Sequence, residues 1–247
     1  MRFGIGAGRW RKIENNNMTM KKLLLELWYL VRYTRSYAQE GEDAIIEDLW
    51  ESRYGRRPGF FVEVGGYHPV RFSNTLRLYR RGWRGIVVEP TPARWWLWAL
   101  MRPRDLLVKL AVGASRQVRT FYCFDEGALN KFAMEVEEYG NRQFIANLIP
   151  VQQDTLACIL ENSEAGQRGI DLLSIDIEGM EMDALRGNDW ARYRPKMIIV
   201  EDRGFEIARP DASETYRYLT GLGYRAVAKT RRNVIYELFT NQQVHNA

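Results

Sequence analysis

The chain has 247 residues, 46% of them hydrophobic and 27% charged, with a formal net charge of +5. That length and balance suit one α/β domain with an appendage and exclude a wholly disordered or fibrous chain. The charge is local: residues 1–35 hold eight Lys/Arg against two acids, leaving 28 basic against 29 acidic residues elsewhere, so the body lacks the basic excess of a nucleic-acid groove and no nucleic-acid partner is expected.

Residues 1–17 are rich in Gly, Arg and Asn and read as disordered. Gly4, Gly6 and Gly8 follow no strand, so they make no nucleotide-binding turn. Met20, Leu23, Leu24, Leu27, Trp28 and Val31 then recur at helical spacing, with Lys21, Lys22, Arg32 and Arg35 beside the stripe. An amphipathic helix over 18–35 is expected, packed on protein or lying on an anionic membrane surface. With a second helix at about 40–52 it makes an N-terminal helical segment, 18–55. Glu26 breaks the apolar run, which is far short of the ~20 residues of a membrane span. No small-residue cleavage site follows, so neither a transmembrane helix nor a secretory leader is expected, and Met18 and Met20 are alternative starts.

Beyond residue 56, apolar runs of strand length alternate with helical stretches, the pattern of βαβ units. Strands are expected at 60–64, 85–89, 106–112, 172–176 and 197–201. Helices are expected at 73–81, around Trp95, Trp96 and Trp98, at 180–186 and at 213–222. Three such close tryptophans cannot share one helix face, so at least one belongs to the core. Residues 115–152 read as an insertion with strands at 119–124 and 148–152, followed by a helix that Asp154 caps. Strands at 224–228 and 233–239 close the chain as an antiparallel pair, and 242–247 is a tail. The expected fold is therefore α/β: a mostly parallel seven-stranded sheet ending in an antiparallel hairpin, over residues 56–241. Cys123 and Cys158 form no Cys-x-x-Cys and no Cys/His cluster, and read as small buried filler in a reducing, cytoplasmic setting.

Ligands of an open parallel sheet bind beyond the C-terminal strand ends. Acids finish four of those strands: Glu63, Glu89, Asp176 with Glu178, and Glu201 with Asp202. After the first strand stands Gly65-Gly66-Tyr67-His68-Pro69-Val70 in place of a Gly-x-Gly-x-x-Gly turn, so the backbone approach to a pyrophosphate is missing. This argues against an NAD-linked oxidoreductase. The other alternative is a non-catalytic scaffold that binds partners through its N-terminal and Trp-rich helices.

Four blocks in order carry a family likeness. They are Ser36-Tyr37-Ala38-Gln39-Glu40-Gly41-Glu42-Asp43; Phe61-Val62-Glu63-Val64-Gly65-Gly66-Tyr67-His68-Pro69 with Arg71-Phe72-Ser73-Asn74-Thr75; Gly82-Trp83-Arg84-Gly85-Ile86-Val87-Val88-Glu89-Pro90; and Leu173-Ser174-Ile175-Asp176-Ile177-Glu178-Gly179 continuing to Asn188-Asp189-Trp190. Over about 37–202 the chain resembles the FkbM family of methyltransferases. The resemblance implies a class I Rossmann-like methyltransferase fold, S-adenosylmethionine as methyl donor, and O-methylation of a sugar in a glycan or natural product. If residues 18–35 hold the enzyme on the inner face of a membrane, a lipid-linked glycan suits it.

Such a donor carries a sulfonium, an ammonium and a ribose diol, which carboxylates suit. The strand-end rule and the resemblance together give an expected donor site of Gln39, Glu63, Gly65, Tyr67, Asn74, Glu89, Pro90, Val112 and Asp176, with Glu89 on the ribose hydroxyls. His68 and Asp176 are the rival general bases, with Glu178 beside Asp176. Asn130, Lys131 and Asp202 are expected to face or cover the acceptor. Asp176 with Glu178 or Asp202 has the chemistry to hold a divalent ion, although no metal is expected to be needed.

Overall fold

The computed structural model describes residues 36–124, 131–132 and 145–239. The stretch 1–17 read as disordered, the helix expected at 18–35, Asn130 and the tail 242–247 lie outside the described residues. Residues from Ser36 on form one compact unit.

The strands are β1 (Phe60–Val64), β2 (Arg84–Val88), β3 (Leu106–Val108), β4 (Ala111–Val112), β5 (Gln117–Phe124), β6 (Lys131–Phe132), β7 (Ile145–Asp154), β8 (Leu172–Ile175), β9 (Met197–Glu201), β10 (Tyr224–Lys229) and β11 (Asn233–Leu238). Seven make the main sheet in the order β10-β11-β9-β8-β1-β2-β3. β3, β2, β1, β8 and β9 are parallel neighbours, while β11 runs antiparallel to both β9 and β10. This is the α/β sheet with a closing hairpin that the alternation of apolar runs predicts.

The central strands are apolar on both faces because helices cover both. β1, β8 and β9 are buried along their whole length. On one face Val62, Leu173 and Ile198 meet Leu156 and Leu160 of α4 (Leu156–Glu161), Leu185 of α6 (Glu181–Arg186) and Leu219 of α7 (Glu214–Gly221). On the other, Phe61, Val87 and Ile199 meet Ile46 and Trp50 of α1 (Glu42–Tyr54), Leu78 of α2 (Leu76–Arg80) and Trp98 of α3 (Trp95–Met101). Of the tryptophans, Trp98 is the core residue and Trp96 is 63% exposed.

Four local expectations need correction. The run at 106–112 is two strands: β3 edges the main sheet, whereas β4 pairs with β7 in a second sheet of order β4-β7-β5-β6. A continuous apolar run carries no mark of that change of partner. β7 has 10 residues rather than five, because its pairing with β5 extends past the apolar stretch that marks it in sequence. Thr155 caps α4, its hydroxyl accepting the Cys158 N–H at 3.2 Å, while the Asp154 carboxylate accepts the Thr155 N–H at 2.8 Å. Cys123 and Cys158 are free thiols, partly exposed rather than buried. The short helix α5 (Ala165–Arg168) was not foreseen either.

Candidate active site

The strand order reverses at β1, so the crevice above the C-terminal ends of β1, β2 and β8 is the switch point of the sheet. Register fixes which residues rim it. Val64 pairs with Val88 on one side and Ile175 on the other. The next residues, Glu89, Gly65 and Asp176, therefore stand level across three strands. At ~4.8 Å per strand the backbones of Glu89 and Asp176 are about 10 Å apart, with Gly65 between them.

Gly65 is required there. Its φ is +89°, and a Cβ would lie 1.8 Å from the Asp176 carbonyl oxygen. Gly65→Ala must push the end of β8 away from β1. We expect donor affinity to fall by about tenfold or more, since the displaced groups are the site's own walls. Calorimetry on the folded variant checks this, and wild-type affinity would contradict it.

The pocket over this point is an open crevice of about 770 Å³ including its mouth. Glu89, Asp176 and Glu178 supply carboxylates, and Val64, Val88, Leu110, Val112 and Phe121 supply an apolar wall. Gln39, Gly65, Tyr67 and Pro90 line it as well. Among the described residues three non-glycines have positive φ: Tyr67 (25°), Phe72 (62°) and Glu178 (53°). All three line this pocket. Such conformations cost of order 1–3 kcal/mol each and persist where function holds them.

Glu89 is buried, its two carboxylate oxygens accepting the Tyr67 N–H at 2.9 Å and the Thr91 N–H at 2.7 Å. Burial pushes its pKa up, against those hydrogen bonds and Arg94. The Thr91 side chain adds a third hydrogen bond to this carboxylate, whose remaining acceptor capacity faces the pocket. Asp176 is held well above the usual carboxylate range by withdrawal from water, then by Glu201, Glu178 and Glu181. Burial likewise raises Glu181 to about 7; its carboxylate fastens the loop after β8 by accepting the N–H groups of Ile177 and Gly179.

Several expected site residues lie elsewhere. Glu63 is two residues short of the rim and shares its level with Val87 and Ser174. Its carboxylate turns to the α2–α3 face, where it accepts the Thr75 hydroxyl at 2.7 Å and meets the buried Arg102 at 3.5 Å. Asn74 donates to the Ser174 hydroxyl at 3.2 Å on that same buried level. Neither lines the pocket. His68 is also outside its wall. Its Nδ1 accepts the N–H groups of Val70 and Arg71 at 3.0 and 3.1 Å, which places the proton of the neutral ring on Nε2. Partial burial, Arg94 and Arg71 lower its pKa. With Nδ1 accepting two backbone N–H groups, His68 holds the loop after β1.

The third acid beside Asp176 and Glu178 is Glu201, not Asp202. Strand alternation sends the two opposite ways. Asp202 accepts the hydroxyl of Ser213, the cap of α7. Asp176, Glu178 and Glu201 bring ligand oxygens within 4.8 Å of one another. Arg203 already bridges two of them, at 3.0 Å from Glu178 and 2.8 Å from Glu201. Lys131 falls on β6. Phe72, Thr91, Leu110, Phe121, Ile177 and Met180 line the pocket without having been expected. Ile177 and Met180 were within reach of the strand-end rule; Phe121 arrives through the second sheet and has no local signal.

Residues 63–226 match the family model for the methyltransferase FkbM domain. The chain belongs to the FkbM methyltransferase family. No curated protein matches it. The matched span starts inside β1 and ends inside β10, so it contains Gly65, Glu89 and Asp176 and the crevice they rim. The methyltransferase domain thus includes the second sheet, whose Ala111, Val112 and Phe121 wall the same pocket.

Proposed function

We propose that this methyltransferase takes S-adenosylmethionine in the pocket between Glu89 and Asp176 and transfers its methyl group to a hydroxyl of a sugar or glycan. The observation that carries the reading is the level row Glu89–Gly65–Asp176: two carboxylates face one crevice across a glycine. The donor set fits the ligand. Its carboxylates suit a diol and a cationic methionine end, and the apolar wall suits an adenine. No pyrophosphate turn is needed.

The donor supplies an already activated methyl on its sulfonium. The protein's work is therefore alignment, exclusion of water and removal of the acceptor proton. Glu89 holds the ribose end. Asp176, with its raised proton affinity, would accept the hydroxyl proton as the acceptor oxygen takes the methyl and the methyl–sulfur bond breaks, its electron pair leaving with the thioether product. Arg203 offsets one of the two negative charges on the neighbouring Glu178 and Glu201.

Losing a charge-assisted hydrogen bond costs about 1.5–3 kcal/mol. Glu89→Ala is accordingly expected to weaken S-adenosylmethionine binding about tenfold or more. A folded variant with unchanged affinity in a direct titration would remove Glu89 from the donor site. Methyl transfer to a panel of glycan acceptors then identifies the acceptor class.

A further inference from the structure

α3 carries an unusual surface. Trp96 and Leu100, one helical turn apart, are 63% and 71% exposed, and Met101 beside them is 44% exposed. α3 packs on β3, the edge strand of the main sheet, where Leu106 is 48% exposed. Single exposed apolar residues are ordinary, but a group on one helix and the adjoining sheet edge marks a contact surface.

Its charge selects the occupant. From Pro90 to Arg104 the sequence has no acid, while the body as a whole holds 29 acids to 28 basic residues. Arg94, Arg104 and Lys109 flank α3 and β3 along the chain, resting on the rings of Tyr67, Tyr79 and Trp95 at 4.5, 4.2 and 4.5 Å. None of the three forms an ion pair with a described residue. Tryptophan and leucine flanked by cations are the chemistry of an anionic lipid interface.

The helix also starts at the active site. Pro90 and Thr91, just before it, line the pocket, and the Trp95 indole donates to the Glu89 carbonyl at 3.1 Å. We propose that the exposed face of α3 docks on an anionic bilayer and thereby brings the rim of the pocket to the membrane surface. That this presents a lipid-linked acceptor rests on the function proposed above; the docking itself does not.

The test uses the full chain and flotation with vesicles of phosphatidylcholine containing phosphatidylserine, against phosphatidylcholine alone. The wild-type protein should float with the anionic vesicles at low salt and be released at high salt. Trp96→Ser with Leu100→Ser should weaken vesicle binding about tenfold or more, through lost apolar insertion. Val118→Ser with Leu148→Ser alters two other exposed apolar residues, on the second sheet, and should bind vesicles like the wild type. S-adenosylmethionine titration of each variant keeps a failure of docking apart from a failure of the donor site. The proposal is overturned if the Trp96/Leu100 variant floats like the wild type, which would move the contact to residues 1–35. It is also overturned if the wild type ignores anionic vesicles, or if the variant turns a dimer into a monomer by light scattering.

Discussion

Asp176→Asn should lower turnover by about 10²–10⁴-fold, the range for loss of a positioned general base. Binding of S-adenosylmethionine should stay close to wild type. The asparagine keeps the shape at the end of β8 and removes the group that accepts the proton. Glu178 offers no substitute, because it is held by Arg203 at 3.0 Å. A chelator added to the wild-type enzyme should leave the rate unchanged, for Arg203 already supplies the positive charge between Glu178 and Glu201. Steady-state kinetics with a verified acceptor decides both. Near-normal turnover in the variant would dismiss Asp176 as the base, and inhibition by the chelator would restore a role for a metal ion on this rim.

Arg102→Met should cost about 3–5 kcal/mol of stability, the usual result of removing one partner from a buried ionic cluster. Arg102 is 1% exposed. It ion-pairs with Asp105 at 2.6 Å and Glu63 at 3.5 Å, and donates to Thr75 Oγ1 at 2.9 Å and Ser73 Oγ at 3.2 Å. The rings of Phe61, Trp98 and Tyr79 enclose its guanidinium. Methionine fills much of the space and leaves two carboxylates buried together. Denaturant unfolding reads the loss directly, and a change below about 1 kcal/mol would mean that the cluster contributes little. Glu63→Gln sharpens the point: as a structural partner of Arg102 it should lower stability while the folded variant keeps its donor affinity.

Glu63 also shows how far the sequence can be read. Its place in an apolar strand before a double glycine marks the strand and its end correctly. Whether a carboxylate one pleat below the rim faces ligand or a buried arginine depends on Arg102, 39 positions away, which nothing near Glu63 announces. Glu89 and Asp176 were legible because each is the first residue past its strand, where only the crevice lies ahead. The choice between Asp202 and Glu201 turns on alternation at the end of β9, and an error of one residue exchanges the faces. His68 looked like a base from its residue type. Its role is decided by two backbone N–H groups within its own tight loop. The main sheet was readable because βα alternation leaves few topologies open. The second sheet was not, since β4 abandons the strand run that introduces it.

We propose the crevice rimmed by Glu89, Gly65 and Asp176 as the site for S-adenosylmethionine. Titration calorimetry of the full chain with S-adenosylmethionine, and separately with NAD, tests it most directly. Saturable binding of one S-adenosylmethionine per chain, weakened by Glu89→Ala, is expected, with no heat from NAD. Binding of NAD with no response to S-adenosylmethionine would contradict it.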